Sequence, residues 1–452
     1  MSDPRADLRV SGVGESDRRV FRSLASYNFR VWSAGALLSN VGTWMQRIAQ
    51  DWLVLTELTR HDAAAVGLVT ALQFAPQLLL LPWTGYAADH VDRRKLLVAT
   101  QGAMGALALG LGLLTRAGVV RVWHVYGFAF LLGCAAAFDA PARQTFVADM
   151  VGEADLPNAV ALNSASFNAS RLVGPAVAGL LIGAVGTGWV FLLNAASFVA
   201  VLGSLGLMRA GELHAVHAPS APPARDRAGT RRGGLADAVR YVRERPDLTA
   251  LCVMLCLFGT FGLNFPVFIS SMAVSVFHAG AGGFGLLTSA MAVGSVTGAL
   301  LAARRERPSV PLIAAGAGVF GVGYALAAVM PSYHLFGLAL VLVGAASQTV
   351  TTSTTSLVQL STEPAMRGRV MALLLTVALG GQPVGAPLVG WIANTFGPRW
   401  ALGVGAAAGF ATAAVGLAYL ARSGGLRLRA GRPHLGVDRP GGTRPATPRG
   451  RS

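Results

Sequence analysis

Charged side chains are scarce in this chain. Asp, Glu, Lys and Arg make up 13% of its 452 residues, whereas an ordinary soluble domain carries about 25%. Hydrophobic residues make up 53%, and the mean hydropathy is +0.53. Such a composition excludes an ordinary soluble globule and indicates an integral membrane protein.

Several chemical signals are also missing. The chain has three cysteines, and Cys252 and Cys256 lack the His or carboxylate neighbours of a metal site, so we interpret them as small apolar residues. There is no Gly-rich loop ending in Lys-Ser/Thr to bind phosphate, which argues against an ABC transporter, and no credible nucleophile–base pair. The sequence therefore predicts no metal, no cofactor and no enzymatic activity.

Long hydrophobic runs are present instead along nearly the whole chain. A run of 18 or more residues can cross roughly 30 Å of hydrocarbon as a helix, which satisfies its own backbone hydrogen bonds. The runs lack the two-residue alternation of barrel strands. We predict twelve spans, over residues 31–56, 64–84, 96–115, 122–142, 159–184, 188–208, 249–274, 283–303, 311–330, 334–358, 370–395 and 400–421.

The basic residues predict the orientation of these spans. An even number of spans puts both termini on one side, and 31 of the 37 Lys and Arg residues lie in the termini and the loops of that side. The positive-inside rule places that side in the cytoplasm. The first 28 residues contain no apolar segment typical of a signal peptide, so we expect no cleavage there.

The net charge of +16 has two interpretations. A basic balance is typical of nucleic-acid binding, but here the charge lies in predicted loops and the tail, where anionic lipid headgroups are the expected neighbours. We therefore expect a lipid bilayer and no nucleic acid as partner. Residues 422–452 are rich in Arg, Gly and Pro and are predicted to be disordered. A short surface helix is predicted at 235–245.

The two halves of the chain are related to each other. Residues 67–70 are weakly similar in sequence to residues 285–288, at an offset of 218 residues. A stronger match at an offset of 211 pairs Gly174, Gly179, Gly186 and Trp189 with Gly385, Gly390, Gly397 and Trp400. The predicted fold is therefore an all-α integral membrane protein of twelve transmembrane helices in two pseudo-symmetric six-helix bundles. The expected divisions are 1–28 (cytoplasmic), 29–208 (first bundle), 209–247 (linker), 248–421 (second bundle) and 422–452 (tail).

A charged loop between the second and third predicted spans carries a specific motif. In residues 85–95, four positions separate Gly85 from Asp89, and four more lead to the pair Arg93 and Arg94. This spacing resembles the signature loop of the major facilitator superfamily of secondary transporters. Residues 40–54, 139–144 and 367–370 resemble, more narrowly, the branch that contains the enterobactin exporter and drug and macrolide efflux proteins. The resemblance implies a substrate site between the two bundles near the membrane midplane.

The resemblance also implies a cytoplasmic gate. In that superfamily the loop Asp faces the N-terminus of span 11, and the loop Arg pairs with an acid on span 4, here Asp139. Asp139 and Arg143 are four residues apart on one helix face and can pair as well. Ordinary positive-inside topology would explain Arg93 and Arg94 without a gate. The predicted gate comprises Gly85, Asp89, Arg93, Arg94, Asp139 and Arg143.

Besides Asp139, three charged residues fall inside predicted spans, where burying a charge is costly. Arg47 and Asp51 are four residues apart in span 1 and can pair; we interpret Asp51 as a proton-accepting group that Arg47 tunes. The alternative is an interfacial pair that anchors the helix end. Arg171 lies near the midplane and would suit a catecholate or carboxylate, or else it bonds to span carbonyls. The predicted proton and substrate cavity comprises Arg47, Asp51, Gln46, Gln50, Arg171, Asn168 and Gln382.

Span 5 contains a further motif. Gly174, Pro175 and Gly179 resemble the signature of exporters in the superfamily, although Gly and Pro packing between helices would explain them equally well. We therefore predict a monomeric, proton-coupled exporter of a small amphipathic molecule in the inner membrane. Protonation of Asp51 would accompany substrate release at the outer face. The alternatives are an importer or facilitator, and a membrane sensor or scaffold without transport.

Overall fold

The computed structural model describes residues 21–213, 235–304 and 308–423. The predicted tail beyond 423, the linker at 214–234 and most of the N-terminal segment lie outside the described residues. The gate residues Gly85 and Asp89 belong to a helix, but their side chains lie outside the description as well.

The described N-terminal half is almost entirely helical. Helix α1 continues into a π-helical turn, Leu53–Leu58. The helices are α1 (Tyr27–Trp52), α2 (Ala63–Leu79), α3 (Leu81–His90), α4 (Arg93–Arg116), α5 (Val122–Met150), α6 (Leu156–Val185) and α7 (Thr187–Leu207).

The C-terminal half begins with the predicted surface helix. Two π-helical turns, Phe258–Gly262 and Met272–Val276, flank α10. The helices are α8 (Leu235–Glu244), α9 (Pro246–Leu257), α10 (Phe265–Ser271), α11 (Ala281–Ala303), α12 (Val310–Val329), α13 (Tyr333–Ser361), α14 (Pro364–Gly380), α15 (Gln382–Phe396) and α16 (Pro398–Arg422).

Ten helical segments of the described chain are long and apolar enough to cross a membrane. They coincide with ten of the twelve predicted spans, so the chain is an all-helical, multi-pass membrane protein. The first two predicted spans, 31–56 and 64–84, fall on α1 and on α2 with α3, which are helical but are not among those ten.

Each half packs mainly on itself. In the first half, α1 packs against α6 and α7, and α4 packs against α5 and α7. The rings of Trp32 and Phe146 meet edge to face there, with centroids 5.7 Å apart. In the second half, α12 packs against α13 and α16. We call helices α1–α7 the N group and helices α8–α16 the C group.

Two equivalent interfaces join the groups, α2 with α15 and α6 with α11. A Cβ added at Gly67 would lie 2.3 Å from the carbonyl oxygen of Ala386, and one at Gly285 would lie 2.3 Å from that of Pro175. Gly67 and Gly285 are repeat counterparts, and so are Pro175 and Ala386. Only glycine allows so close a backbone approach, so the internal repeat of the sequence reappears in the packing.

Candidate functional site

A cavity of about 280 Å³ lies between the two groups. Helices α1, α2 and α6 line it from the N group, and α10, α11, α13 and α15 line it from the C group. Its wall combines charged, amide and hydroxyl side chains with aromatic rings, including Trp44, Phe74 and Phe265. Such a mixture suits a ligand with both apolar and polar parts.

Arg47 and Asp51 both line this cavity. Asp51 is 6% exposed. No ion pair within 4.0 Å joins these two described residues, so the predicted direct pairing is not observed. Their opposite charges still interact over a longer distance. The Arg47 guanidinium lies instead over the rings of Trp44 and Phe74, at 5.0 and 5.9 Å from their centroids. These rings hold the cation by cation–π attraction.

Arg171, on α6, reaches the same cavity from another side. Within the described part of the chain, its guanidinium donates no hydrogen bond and forms no ion pair. Bonding to span carbonyls, the structural alternative for this residue, is therefore not observed. Gln382 also lines the cavity, and its buried Oε1 atom has no hydrogen-bond partner among the described groups.

Three other predicted cavity residues lie elsewhere. Gln46 Oε1 accepts a 2.5 Å hydrogen bond from Asn194, and Gln50 Oε1 accepts one of 3.3 Å from Gln73. The side-chain amide of Asn168 donates to a backbone carbonyl of its own helix at 2.9 Å. Gln46 and Gln50 each precede a cavity residue by one position, a rotation of about 100° around the helix. That rotation turns them toward α7 and α2.

The internal repeat relates the two walls of the cavity. With the offset of 218 residues, Arg47 corresponds to Phe265 and Asp51 to Ile269. With the offset of 211, Arg171 corresponds to Gln382. All of these residues line the cavity. Thr70 and Thr288, which belong to the weaker sequence match, are a further pair of counterparts that line it. Applying the two repeat offsets to the charged residues of the first half would therefore have predicted the lining residues of the second half.

One end of the cavity is closed by contacts between the groups. At this closed end, Asp62 Oδ1 accepts a 2.6 Å hydrogen bond from the Asn394 side-chain amide. Asn394 Oδ1 in turn accepts a 2.8 Å bond from the backbone N–H of Ala63. Asp62 also caps the N-terminus of α2. Nothing in the sequence pattern marked this contact, which joins positions 332 residues apart.

The exporter-like motif lies at two helix interfaces, one within the N group and one between the groups. The backbone at Gly174 packs on α1, where a Cβ would lie 2.6 Å from that of Trp44. A Cβ at Gly179 would lie 2.6 Å from the carbonyl oxygen of Ala281 on α11. Nearby, the hydroxyl of Ser289 donates to the carbonyl of Leu172 across the groups at 2.7 Å. The motif therefore lies where α6 meets both α1 and α11.

The predicted gate residues lie at the opposite end. Arg93 pairs with Asp149 at 2.8 Å and not with Asp139, as the sequence had suggested. Asp139 lies ten residues earlier on α5, about 15 Å away along the axis, too far for an Arg at the start of α4. The side chain of Arg94 donates to the carbonyl of Leu205. The predicted pair of Asp139 and Arg143 is confirmed, at 3.0 Å.

Asp139 is the centre of a buried network within the N group. Besides Arg143, it accepts hydrogen bonds from Thr100 at 2.9 Å and from Gln101 at 2.6 Å. Arg143 also donates to Asn40 at 3.2 Å. None of these bonds reaches the C group. Among the described residues, side-chain hydrogen bonds join the two groups at the Asn394 end and beside Arg171, and not at the gate end. We therefore call the gate end the open end.

Comparisons with known proteins agree with this architecture. Residues 19–425 match the family described as transmembrane secretion effector, of the major facilitator superfamily. The staphyloferrin A transporter of Staphylococcus aureus (strain NCTC 8325 / PS 47) is 24% identical over 368 residues, covering 80% of this chain and 89% of the relative. The enterobactin exporter EntS of Citrobacter koseri is 25% identical over 378 residues, covering 83% and 87%.

Solved structures share the fold. A bacterial homologue of the human lysosomal transporter Spinster, inward-facing and unoccupied, has a TM-score of 0.65 at 15% identity, over 88% of this chain and 95% of that one. A POT family transporter in complex with a thioalcohol-conjugated peptide has a TM-score of 0.70 at 12% identity, over 88% and 96%. With the family match over most of its length, the chain belongs to the transmembrane secretion effector family of major facilitator transporters, which move small molecules across membranes.

Proposed function

We propose that this protein exports a small amphipathic molecule by alternating access, with Asp51 as the group that couples transport to protons. The observation that carries the proposal is the cavity between the groups. It holds Arg47, Asp51 and Arg171, charged groups without an ion-pair partner among the described residues, and hydrogen bonds between Asn394 and the start of α2 join the groups at one end of it. An enclosed site with one open end is what alternating access requires.

The proposed topology has twelve spans and both termini in the cytoplasm of a monomer in the inner membrane. Helix α1 would supply the first span, and α2 with α3 the second, so that residues 29–208 and 248–421 form two six-helix bundles. The basic loops at the open end support this orientation. The structure would then represent the state that is open toward the cytoplasm.

Export is favoured over import by two features. The relative from Citrobacter koseri is named an enterobactin exporter, and the motif at Gly174, Pro175 and Gly179 resembles the span-5 signature of exporters. A siderophore, drug or antibiotic is the proposed class of substrate. Asp51 is the one acidic side chain among the described cavity residues, which makes it the candidate for proton coupling.

Everted membrane vesicles test this function. We would energise them to an acidic lumen, add siderophores, macrolides and cationic dyes, and follow lumenal pH with a fluorophore. The expected result is a substrate-dependent pH change that needs this protein and is lost in Asp51→Asn. The labelled compound should accumulate in everted vesicles. Accumulation only in right-side-out vesicles would contradict export, and an unchanged response of Asp51→Asn would remove Asp51 as the coupling group.

A further inference from the structure

Among the described residues that line the cavity, every charged side chain comes from one of its two related walls. Arg47, Asp51 and Arg171 belong to the N group. Their repeat counterparts in the C group, Phe265, Ile269 and Gln382, line the same cavity and are neutral. The positions that line the cavity are therefore related by the internal repeat, but the charges are distributed asymmetrically, on the wall that the N group forms.

The charged wall carries an excess of positive charge. Two guanidinium groups, of Arg47 and Arg171, are present with one carboxylate, that of Asp51. Neither arginine forms an ion pair within the described chain. The charged end of Arg47 lies over the aromatic rings of Trp44 and Phe74 and interacts with Asp51 only over a longer distance. An unpaired charge at membrane depth is costly, so an anionic group is the complement that this wall lacks.

The opposite wall is suited to an apolar group. Phe265 and Ile269 on α10 and Met291 on α11 face the cavity from the C group. Ile269 is 1% exposed and Met291 5% exposed. A ligand that spans the cavity would therefore place its acidic end against the N group and its hydrophobic end against the C group.

We infer that the cavity binds an amphipathic anion, with its acidic group between Arg47 and Arg171 and its apolar part against Phe265 and Ile269, and that a proton on Asp51 strengthens this binding. The inference rests on the proposed function in taking the cavity as the transport site. It specifies what that function left open, namely the charge of the substrate and the sign of its coupling to protons.

The sign of the coupling follows from electrostatics. An ionised Asp51 and a bound anion repel each other, and linkage makes the effect reciprocal, so protonation of Asp51 and binding of the anion favour each other. The other titratable groups among the described lining residues are Arg47 on the same helix and Arg171 on α6; those lining from α2, α10, α11, α13 and α15 are not titratable. Affinity for the anion therefore rises as pH falls.

This sign is opposite to the expectation that protonation accompanies release. A proton and the anion would occupy the cavity together and cross together. A dianion that leaves with one proton still moves one negative charge outward, which a membrane potential that is negative inside favours. Export of such a substrate would be driven by the membrane potential rather than by the pH gradient.

Calorimetric titration of the full-length protein in lipid nanodiscs tests the inference, with empty nanodiscs as the blank. The probes are 2-naphthoate and 2-naphthamide, which have nearly the same shape but differ in charge. Wild-type protein should bind the anion at least tenfold more tightly than the amide. Affinity for the anion should rise about tenfold from pH 8 to pH 5.5, and affinity for the amide should stay constant.

Variants assign the effect to the cavity. Arg171→Gln should lose most of the preference for the anion, and Arg171→Lys should retain it. Asp51→Asn should bind the anion at pH 8 as tightly as wild type does at pH 5.5, without pH dependence. Arg116→Gln is the matched control, because Arg116 contacts Trp189 outside the cavity.

Three outcomes would overturn the inference. They are equal binding of the two probes, no binding of the anion, and anion affinity that falls as pH falls. The binding and transport experiments test the two hypotheses independently. If the protein binds 2-naphthoate as described but exports nothing in everted vesicles, the anion site is supported and the proposed export function is contradicted.

Discussion

Asn394 and Asp62 join the two groups through a reciprocal contact at the closed end. The Asn394 amide donates to Asp62 at 2.6 Å, and Asn394 Oδ1 accepts from the backbone of Ala63 at 2.8 Å. Asp62 also accepts from the N–H groups of Ala64 and Ala65. The same carboxylate thus caps α2 and holds it to α15, so the closed end cannot open without breaking both bonds to Asn394.

Removing this contact should shift the protein toward the outward-open state. A hydrogen bond to a charged group contributes about 1.5–3 kcal/mol, so Asn394→Ala should raise the outward-open population roughly tenfold. The measurement is the labelling rate of a cysteine at Thr288, in a variant without native cysteines, by an impermeant thiol reagent added from the outer face.

A second variant, Asp62→Ser, tests the other side of the same contact. It keeps a capping side chain on α2 but removes the carboxylate that Asn394 contacts. It should increase the labelling rate as Asn394→Ala does. Equal labelling in the parent protein and in Asn394→Ala would show that the contact does not hold the outer end closed.

Gly179 should tolerate no side chain while α6 and α11 are packed together as they are in this structure. A Cβ there would lie 2.6 Å from the carbonyl oxygen of Ala281, whereas a Cβ at Gly183, one turn further along α6, meets nothing within 4 Å. Overpacking costs about 1–3 kcal/mol, so Gly179→Ala should reduce transport by tenfold or more in everted vesicles. Gly183→Ala should transport normally; similar losses in both would indicate a general defect of α6.

The Asp139 network should contribute to stability much more than the Arg93 pair. Arg143→Gln leaves a buried carboxylate without its cation and should lower the free energy of unfolding by about 3 kcal/mol. The Arg93 side chain is 33% exposed, and Arg93→Gln should cost about 1 kcal/mol or less. Melting temperatures in detergent compare them. The double variant Asp139→Asn/Arg143→Gln should recover part of the loss, and equal melting of both single variants would contradict this ranking.

The direction of proton movement should reveal the sign of coupling. If an anion and a proton leave together, adding an exported anion to everted vesicles should acidify the lumen further, because the lumen is the outer compartment. Asp51→Asn should carry the anion without that acidification. Alkalinisation of the lumen would indicate exchange of substrate for protons, and it would contradict the inferred sign while leaving export intact.

The sequence by itself determined the membrane class, the helical segments and the presence of two related halves. These properties depend on local composition and on spacing along the chain, because a hydrophobic run of sufficient length forms a helix in lipid whatever its neighbours are. It also singled out Arg47, Asp51 and Arg171, since charge inside an apolar run is conspicuous without any structure.

Only the tertiary structure decided which side chains share a site. The rotation of α1 about its axis turns Arg47 and Asp51 toward the cavity and Gln50 away from it, and packing sets that rotation. The partner of Arg93 depends on how far α4 and α5 are offset along their axes. The bond from Asn394 to Asp62 spans 332 positions, and short-range periodicity contains no information about so distant a contact.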